Sequence, residues 1–216
     1  MSDGSLEAIA DQIRGEFEAL DKARDGAYSR SRQLTGLCAR AIRAIHREEW
    51  ARADALIAEA GREGRTLVEG VQAYPSLYHA GYTQDALKEY VEAQLTYALI
   101  RNRPLPAPDA LAAEGATWLN GLAEAATELR RRILDIIRHG HSSEAERLLD
   151  AMDEIYLLLV TFDFNDSITG GLRRRTDTVR AVLERTRGDV TTSLRQSELE
   201  QALEVLEARL AGGAGS

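Results

Sequence analysis

The sequence predicts an all-α fold. Apolar residues recur at helical spacing through nearly the whole chain, and strand-like alternation of β-branched residues is scarce. There are only 4 prolines in 216 residues, and three of them fall within five positions. Apolar residues make up 44% and charged residues 29%, a globular composition with enough length for a real core. The expected architecture is a single-domain helical bundle of about six to seven helices over 1–216, with flexible ends at 1–5 and 212–216.

Each element has its own signal. Ser5 caps a first helix and Glu7 sits in its first turn, where a carboxylate meets the positive helix end. Ile9, Ile13, Phe17 and Leu20 start its stripe, which resumes through Leu34, Leu37, Cys38, Ala41, Ile42 and Ile45. The second helix runs from about Arg47 to Val71, with Tyr74-Pro75 as its stop. The third carries Leu87, Val91, Leu95 and Ala98. Residues 103–108 contain Pro104, Pro106 and Pro108 and form a stiff, extended linker. Asp109 is then the expected cap of a fourth helix, with Leu119, Leu122, Leu129, Ile133, Ile136 and Ile137 inward. Gly140-His141-Ser142 closes it. A fifth helix contains Leu148, Leu149, Met152, Ile155, Tyr156 and Leu159, and a break follows at Asn165-Asp166-Ser167. Gly170-Gly171 reads as a bend before the last helix, which runs from about Leu172 toward Ala211.

Several classes are excluded. A net charge of −8 argues against a bulk electrostatic grip on nucleic acid, so any phosphate contact must be a local basic patch. One cysteine, Cys38, rules out a disulfide framework and reads as a small core residue. No run of 18 apolar residues exists to span a membrane, and Met1–Ser5 has no signal pattern, so the expected location is cytoplasmic, with no membrane partner. The chain has no phosphate-binding glycine loop and no HExxH; His139 and His141 are two apart and read as helix-end residues.

Two features carry chemistry. On the third helix Asp85, Glu89 and Glu92 share one face, opposite the Leu87/Val91/Ala98 stripe. On the fourth, Glu124 and Glu128 are four apart, with Arg131 and Arg132 near enough to pair with Glu128. Two readings stay open for these acids. They are solvated faces, or they are hard oxygen ligands for Mg²⁺, which needs only a few carboxylates because it keeps several waters. The second feature is the run Arg173-Arg174-Arg175, followed by Arg180, Arg185, Arg187 and Arg195. Arginine suits bidentate phosphate contact, but interleaved Asp177, Glu184 and Asp189 offer ion pairs instead.

Three stretches resemble the translin family: Lys88-Glu89-Tyr90-Val91-Glu92-Ala93, Trp118 to Glu124 with Glu128-Leu129, and Asn165 to Asp189 ending Thr186-Arg187-Gly188-Asp189. The resemblance runs from about Phe17 to Asp189 and is nearest to translin-associated factor X, in a compact prokaryotic form. It implies a seven-helix fold, hollow octamers, and binding of single-stranded RNA and DNA. For the factor X branch it also implies Mg²⁺-dependent (or Mn²⁺-dependent) endoribonuclease activity. The family's metal-site acids fall on Glu89, Glu92, Glu124 and Glu128, with Glu124 where aspartate is usual. The family's basic segment before the third helix is nearly absent from Tyr78 to Gln84, which directs attention to Arg101, Arg103 and the Arg173–Arg175 run.

Two functions follow as expectations. One is a metal-dependent endoribonuclease inside an oligomeric shell; the other is a non-catalytic single-stranded nucleic-acid-binding or scaffold protein, with co-assembly with a paralogue open in both. If the third and fourth helices pack antiparallel, as a short stiff linker favours, the acid pairs face each other. The enzyme reading then requires carboxylate oxygens from both helices about 4–6 Å apart. A homo-oligomer is expected because Leu172, Val179, Val182 and Leu183 form an apolar line that one chain of this size would leave uncovered.

Overall fold

The computed structural model describes residues 5–140 and 142–213, and among them there are helices and no strand. In chain order these are α1 (Leu6–His46), α2 (Trp50–Val71), α3 (Pro75–Tyr78), α4 (Gly81–Ile100), α5 (Gly115–Ile137), α6 (Ser143–Leu159), α7 (Asp166–Thr169) and α8 (Leu172–Gly213), with a single 3₁₀ turn at Asp109–Leu111. The chain divides into two compact units, residues 1–94 with 106–121 and residues 95–105 with 122–216. Helices α4 and α5 each contribute residues to both.

In the first unit, α1 is one unbroken helix of 41 residues. Ser5 Oγ accepts from the Ala8 N–H at 3.1 Å, the expected cap. Helix α1 packs on α2, and Leu34, Leu37, Cys38, Ala41 and Ile45 of α1 are fully buried, as are Ala53, Ala60 and Leu67 of α2. Helix α2 begins three residues later than expected, because Glu48 takes a left-handed φ of 56° and turns the chain. It ends at Val71, as expected, four residues short of Pro75, which does not itself terminate it. Pro75 instead opens the one-turn α3, where its missing N–H leaves no bond unmade.

The expected role of Asp109 is corrected as well. Asp109 opens the 3₁₀ turn, Ala112 ends that turn with a left-handed φ of 50°, and α5 starts only at Gly115. The antiparallel packing expected for the helices now labelled α4 and α5 does not occur in this unit. Thr117 Oγ1 donates to Gln84 Oε1 at 2.8 Å, and one turn on, Gly121 lies against Val91 and the Glu92 backbone. Both helices therefore advance in the same direction. The linker is long enough for this: extended chain covers about 3.1 Å per residue, so residues 101–114 can return along a helix that rises 1.5 Å per residue. Trp118 Nε1 donates to the Pro106 carbonyl at 2.9 Å and pins the returning strand to α5.

In the second unit, α6 packs on α8, and Leu148, Met152, Ile155, Leu159, Val179 and Leu183 are buried. Ser142 Oγ accepts from the Ala145 N–H and caps α6; His141 lies outside the described residues. Asn165 Oδ1 accepts from the Ser167 N–H, so the expected break contains the one-turn α7. Gly170 and Gly171 both take positive φ, 61° and 80°, a bend that side chains resist, and α8 begins after it. Leu172, Val179 and Leu183 are buried within the single chain and Val182 is half-buried, so this apolar line is no argument for a partner.

Candidate metal centre

The local sequence of α4 sets the position of its acids. Leu87, Val91, Leu95 and Ala98 are buried as expected, which turns Asp85 outward and leaves Glu89 half-buried. Glu92 is only 9% exposed. Lys88 Nζ stands 3.2 Å from Glu89 Oε1. The buried Cys38 of α1 lies within their field: burial first, then the Glu89 and Glu92 carboxylates, push its thiol up to about 12.

Helix α5 approaches α4 closely at Gly121. A Cβ there would come within 2.6 Å of Val91 Cγ1 and 3.1 Å of the Glu92 amide nitrogen, so only glycine fits without movement. Glu124 follows three residues later on the same helix. One carboxylate oxygen from each of Glu89, Glu92 and Glu124 lies within 4.8 Å of the other two. Glu128 is not one of this trio. Arg132, which the sequence offers to Glu128 along with Arg131, donates to Glu144 Oε1 from both Nε (3.1 Å) and Nη2 (3.0 Å).

The three arginines of the run have different surroundings. Arg175 Nε donates to Glu124 Oε1 at 3.0 Å, and its Nη1 donates to the Gly170 carbonyl at 3.2 Å. Arg173 pairs with Asp163 at 2.7 Å on an open surface, and Arg174 is exposed. Farther along α8, Arg180 pairs with Glu184 and Arg187 with Asp153 of α6. On the other side of the linker, Arg103 lies over the Tyr97 ring at 5.1 Å, and Arg101 is half-buried at the end of α4. The Glu124–Arg175 pair joins residues 51 apart, and no sequence spacing signals it. The Cys38 neighbourhood is equally silent in sequence, because an apolar stripe does not reveal which helix it meets.

No family model matches the chain. An uncharacterized protein of Methanocaldococcus jannaschii is 29% identical over 188 residues, 85% of this chain and 82% of that one. Among solved structures, apo-NeC3PO superposes with a TM-score of 0.79 at 23% identity, covering 88% of this chain and all of that one. AfC3PO superposes at 0.78 with 28% identity, covering 87% and 97%. AfC3PO in complex with duplex RNA gives 0.75 at 29% identity, again covering 87% and 97%. The chain shares the all-helical fold of these C3PO structures and is similar to AfC3PO along nearly the whole length of that protein.

Proposed function

We propose that this chain binds RNA and cleaves its phosphodiesters as a divalent-metal-dependent endoribonuclease. The observation that carries the reading is the convergence of Glu89, Glu92 and Glu124 within 4.8 Å. Three carboxylates this close repel one another unless a positive charge stands among them, and hard oxygen donors suit Mg²⁺ or Mn²⁺. Glu89, Glu92 and Glu124 would hold the ion, with Glu128 as a fourth acid one turn further along α5. Bound there, it would supply a water of lowered pKa and a counter-charge for the phosphodiester. The chain's own part is to fix those oxygens: Gly121 sets the approach of α5 to α4, and the buried stripe of α4 sets the rotation of Glu89 and Glu92.

The structure of AfC3PO with duplex RNA supports RNA as the partner; single-stranded RNA and DNA come from the translin resemblance. Arg101, Arg103, Arg173, Arg174 and Arg175 are the proposed phosphate contacts. Among the described residues Arg173 is held by an exposed ion pair with Asp163, which contributes about 0–1 kcal/mol and exchanges readily for phosphate. Affinity should therefore fall steeply with salt.

The working form is proposed to be a homo-oligomer, an octamer on the family resemblance, in the cytoplasm. Its support is the distal part of α8. There Leu199, Leu203, Leu206 and Leu210 follow a four-three-four spacing, the seam of packed helices, and all four are exposed. Light scattering at micromolar concentration should return a multiple of the 23.8 kDa chain mass. No helix among the described residues is long and apolar enough to cross a membrane.

The test is incubation of purified protein with labelled single-stranded and duplex RNA in Mg²⁺, Mn²⁺ or EDTA. Cleavage should require the metal. Glu89→Gln should abolish it with the fold and RNA binding retained, and Glu124→Asp should keep activity or raise it. RNA bound but left uncut in every metal would establish the non-catalytic binding reading instead.

A further inference from the structure

We propose that Arg175 is a tethered counter-charge for the acid trio, one that a divalent cation must displace from Glu124. The inference rests on the metal reading above and concerns a residue that acts through Glu124.

Lys88 and Arg175 both stand on acids of the trio, and they differ in kind. Lys88 is the sequence neighbour of Glu89 on the same helix and reaches its carboxylate at 3.2 Å. Arg175 comes from α8 and makes the closer contact, 3.0 Å to Glu124 Oε1. Its position is built by the fold. The left-handed turn at Gly170-Gly171 presents the Gly170 carbonyl, and Arg175 Nη1 donates to it, so one guanidinium bridges the turn and the acid. Both partners are about one-third exposed or less, 31% for Arg175 and 26% for Glu124, which leaves their attraction only partly screened.

This arrangement answers a problem that the trio creates. Without a cation, three carboxylates within 4.8 Å would drive α4 and α5 apart. A guanidinium fixed on one of them keeps the acids assembled in the metal-free protein. The same charge opposes an incoming divalent cation. A cation that takes Glu124 releases the guanidinium, which keeps its Gly170 anchor and turns its donors to a phosphate oxygen. Metal and RNA then favour each other's binding, and coupling of this sort is reciprocal.

The first measurement is Mn²⁺ binding to the RNA-free full-length protein, by calorimetry or by loss of the free-ion spin-resonance signal, for wild type, Arg175→Gln and Arg175→Lys. Arg175→Gln should bind Mn²⁺ about tenfold more tightly, because a repelling charge is gone. Its metal-free thermal midpoint should fall below that of wild type and be recovered by Mn²⁺. Arg175→Lys keeps the charge and should stay near wild type in affinity. Equal or weaker Mn²⁺ binding by Arg175→Gln would overturn the proposal, as would a metal-free midpoint unchanged from wild type. If wild type and both variants bind no Mn²⁺, the metal reading itself fails, and the competition proposal with it. The second measurement uses an RNA made uncleavable by 2′-O-methylation. Mn²⁺ should tighten its binding to wild type and not to Arg175→Gln; equal tightening in both would remove the phosphate role from Arg175.

Discussion

Helix α1 contains two regions with the same sequence pattern and opposite fates. From Ala27 to Ile45 its stripe is buried, with Leu34 and Leu37 at 0% exposure. From Leu6 to Phe17 the same stripe continues in phase, through Ile13, yet Phe17 is 66% exposed and Leu6 84%. Helix α8 divides similarly but with a slip. Its buried positions 172, 176, 179, 183, 186 and 190 would continue to 193, 197, 200 and 204. The exposed leucines stand instead at 199, 203, 206 and 210, about 100° around the helix. Periodicity thus marks a face that needs cover without saying what covers it. On α1 one half is covered by α2 and by residues of α4, and the other half is left exposed among the described residues.

The comparison is broken most directly by truncating one residue from each half. Leu37→Ala should cost about 2–5 kcal/mol in urea unfolding, since it opens a cavity around a fully buried side chain. A loss below about 1 kcal/mol would mean that the inner half is no better packed than the outer.

Gly121→Ala should cost about 1–3 kcal/mol, because its Cβ would overlap Val91. It should also weaken Mn²⁺ binding by moving Glu124 away from Glu89 and Glu92. Unchanged metal affinity in this variant would show that the α4–α5 approach does not set the trio.

A smaller effect sharpens the contrast through pH. Cys38 is held protonated in the fold by burial and by Glu89 and Glu92, with its thiol at about 12 against an ordinary value of 9.0. Above pH 9 the unfolded chain sheds this proton and the folded one keeps it, so stability falls as pH rises. By pH 10 the loss should be about 1 kcal/mol, and Cys38→Ala should remove that part of the slope. Alkylation rates of the native thiol at pH 9 should be correspondingly slow.

The smallest effect belongs to the outer half. Phe17→Ala should shift the stability of dilute chains by no more than about 0.5 kcal/mol. At concentrations where copies associate, the same substitution should lower the association measured by sedimentation. An equal effect at both concentrations would place the cover of Phe17 inside the single chain.

Local chemistry in the sequence determined much of this protein. Helical spacing and few prolines set the all-α class, and Ser5 and Ser142 fix two helix starts through a side-chain oxygen on an orphan N–H. The spacing of Glu89 and Glu92 put two acids on one face of α4, and the family resemblance pointed to Glu124. Apart from that resemblance, all of this depends on neighbours within about two helical turns, where helix geometry is rigid. Tertiary structure alone decided what depends on distant partners. It gave the linker a return path that makes α4 and α5 run in the same direction. It buried the proximal α8 stripe against α6, and set Gly121 against Val91. It also brought Arg175 to Glu124 across 51 residues and Cys38 into the field of two carboxylates. A periodic stripe carries no address: which face meets which is fixed by packing and chain return, and these are summed over the whole fold.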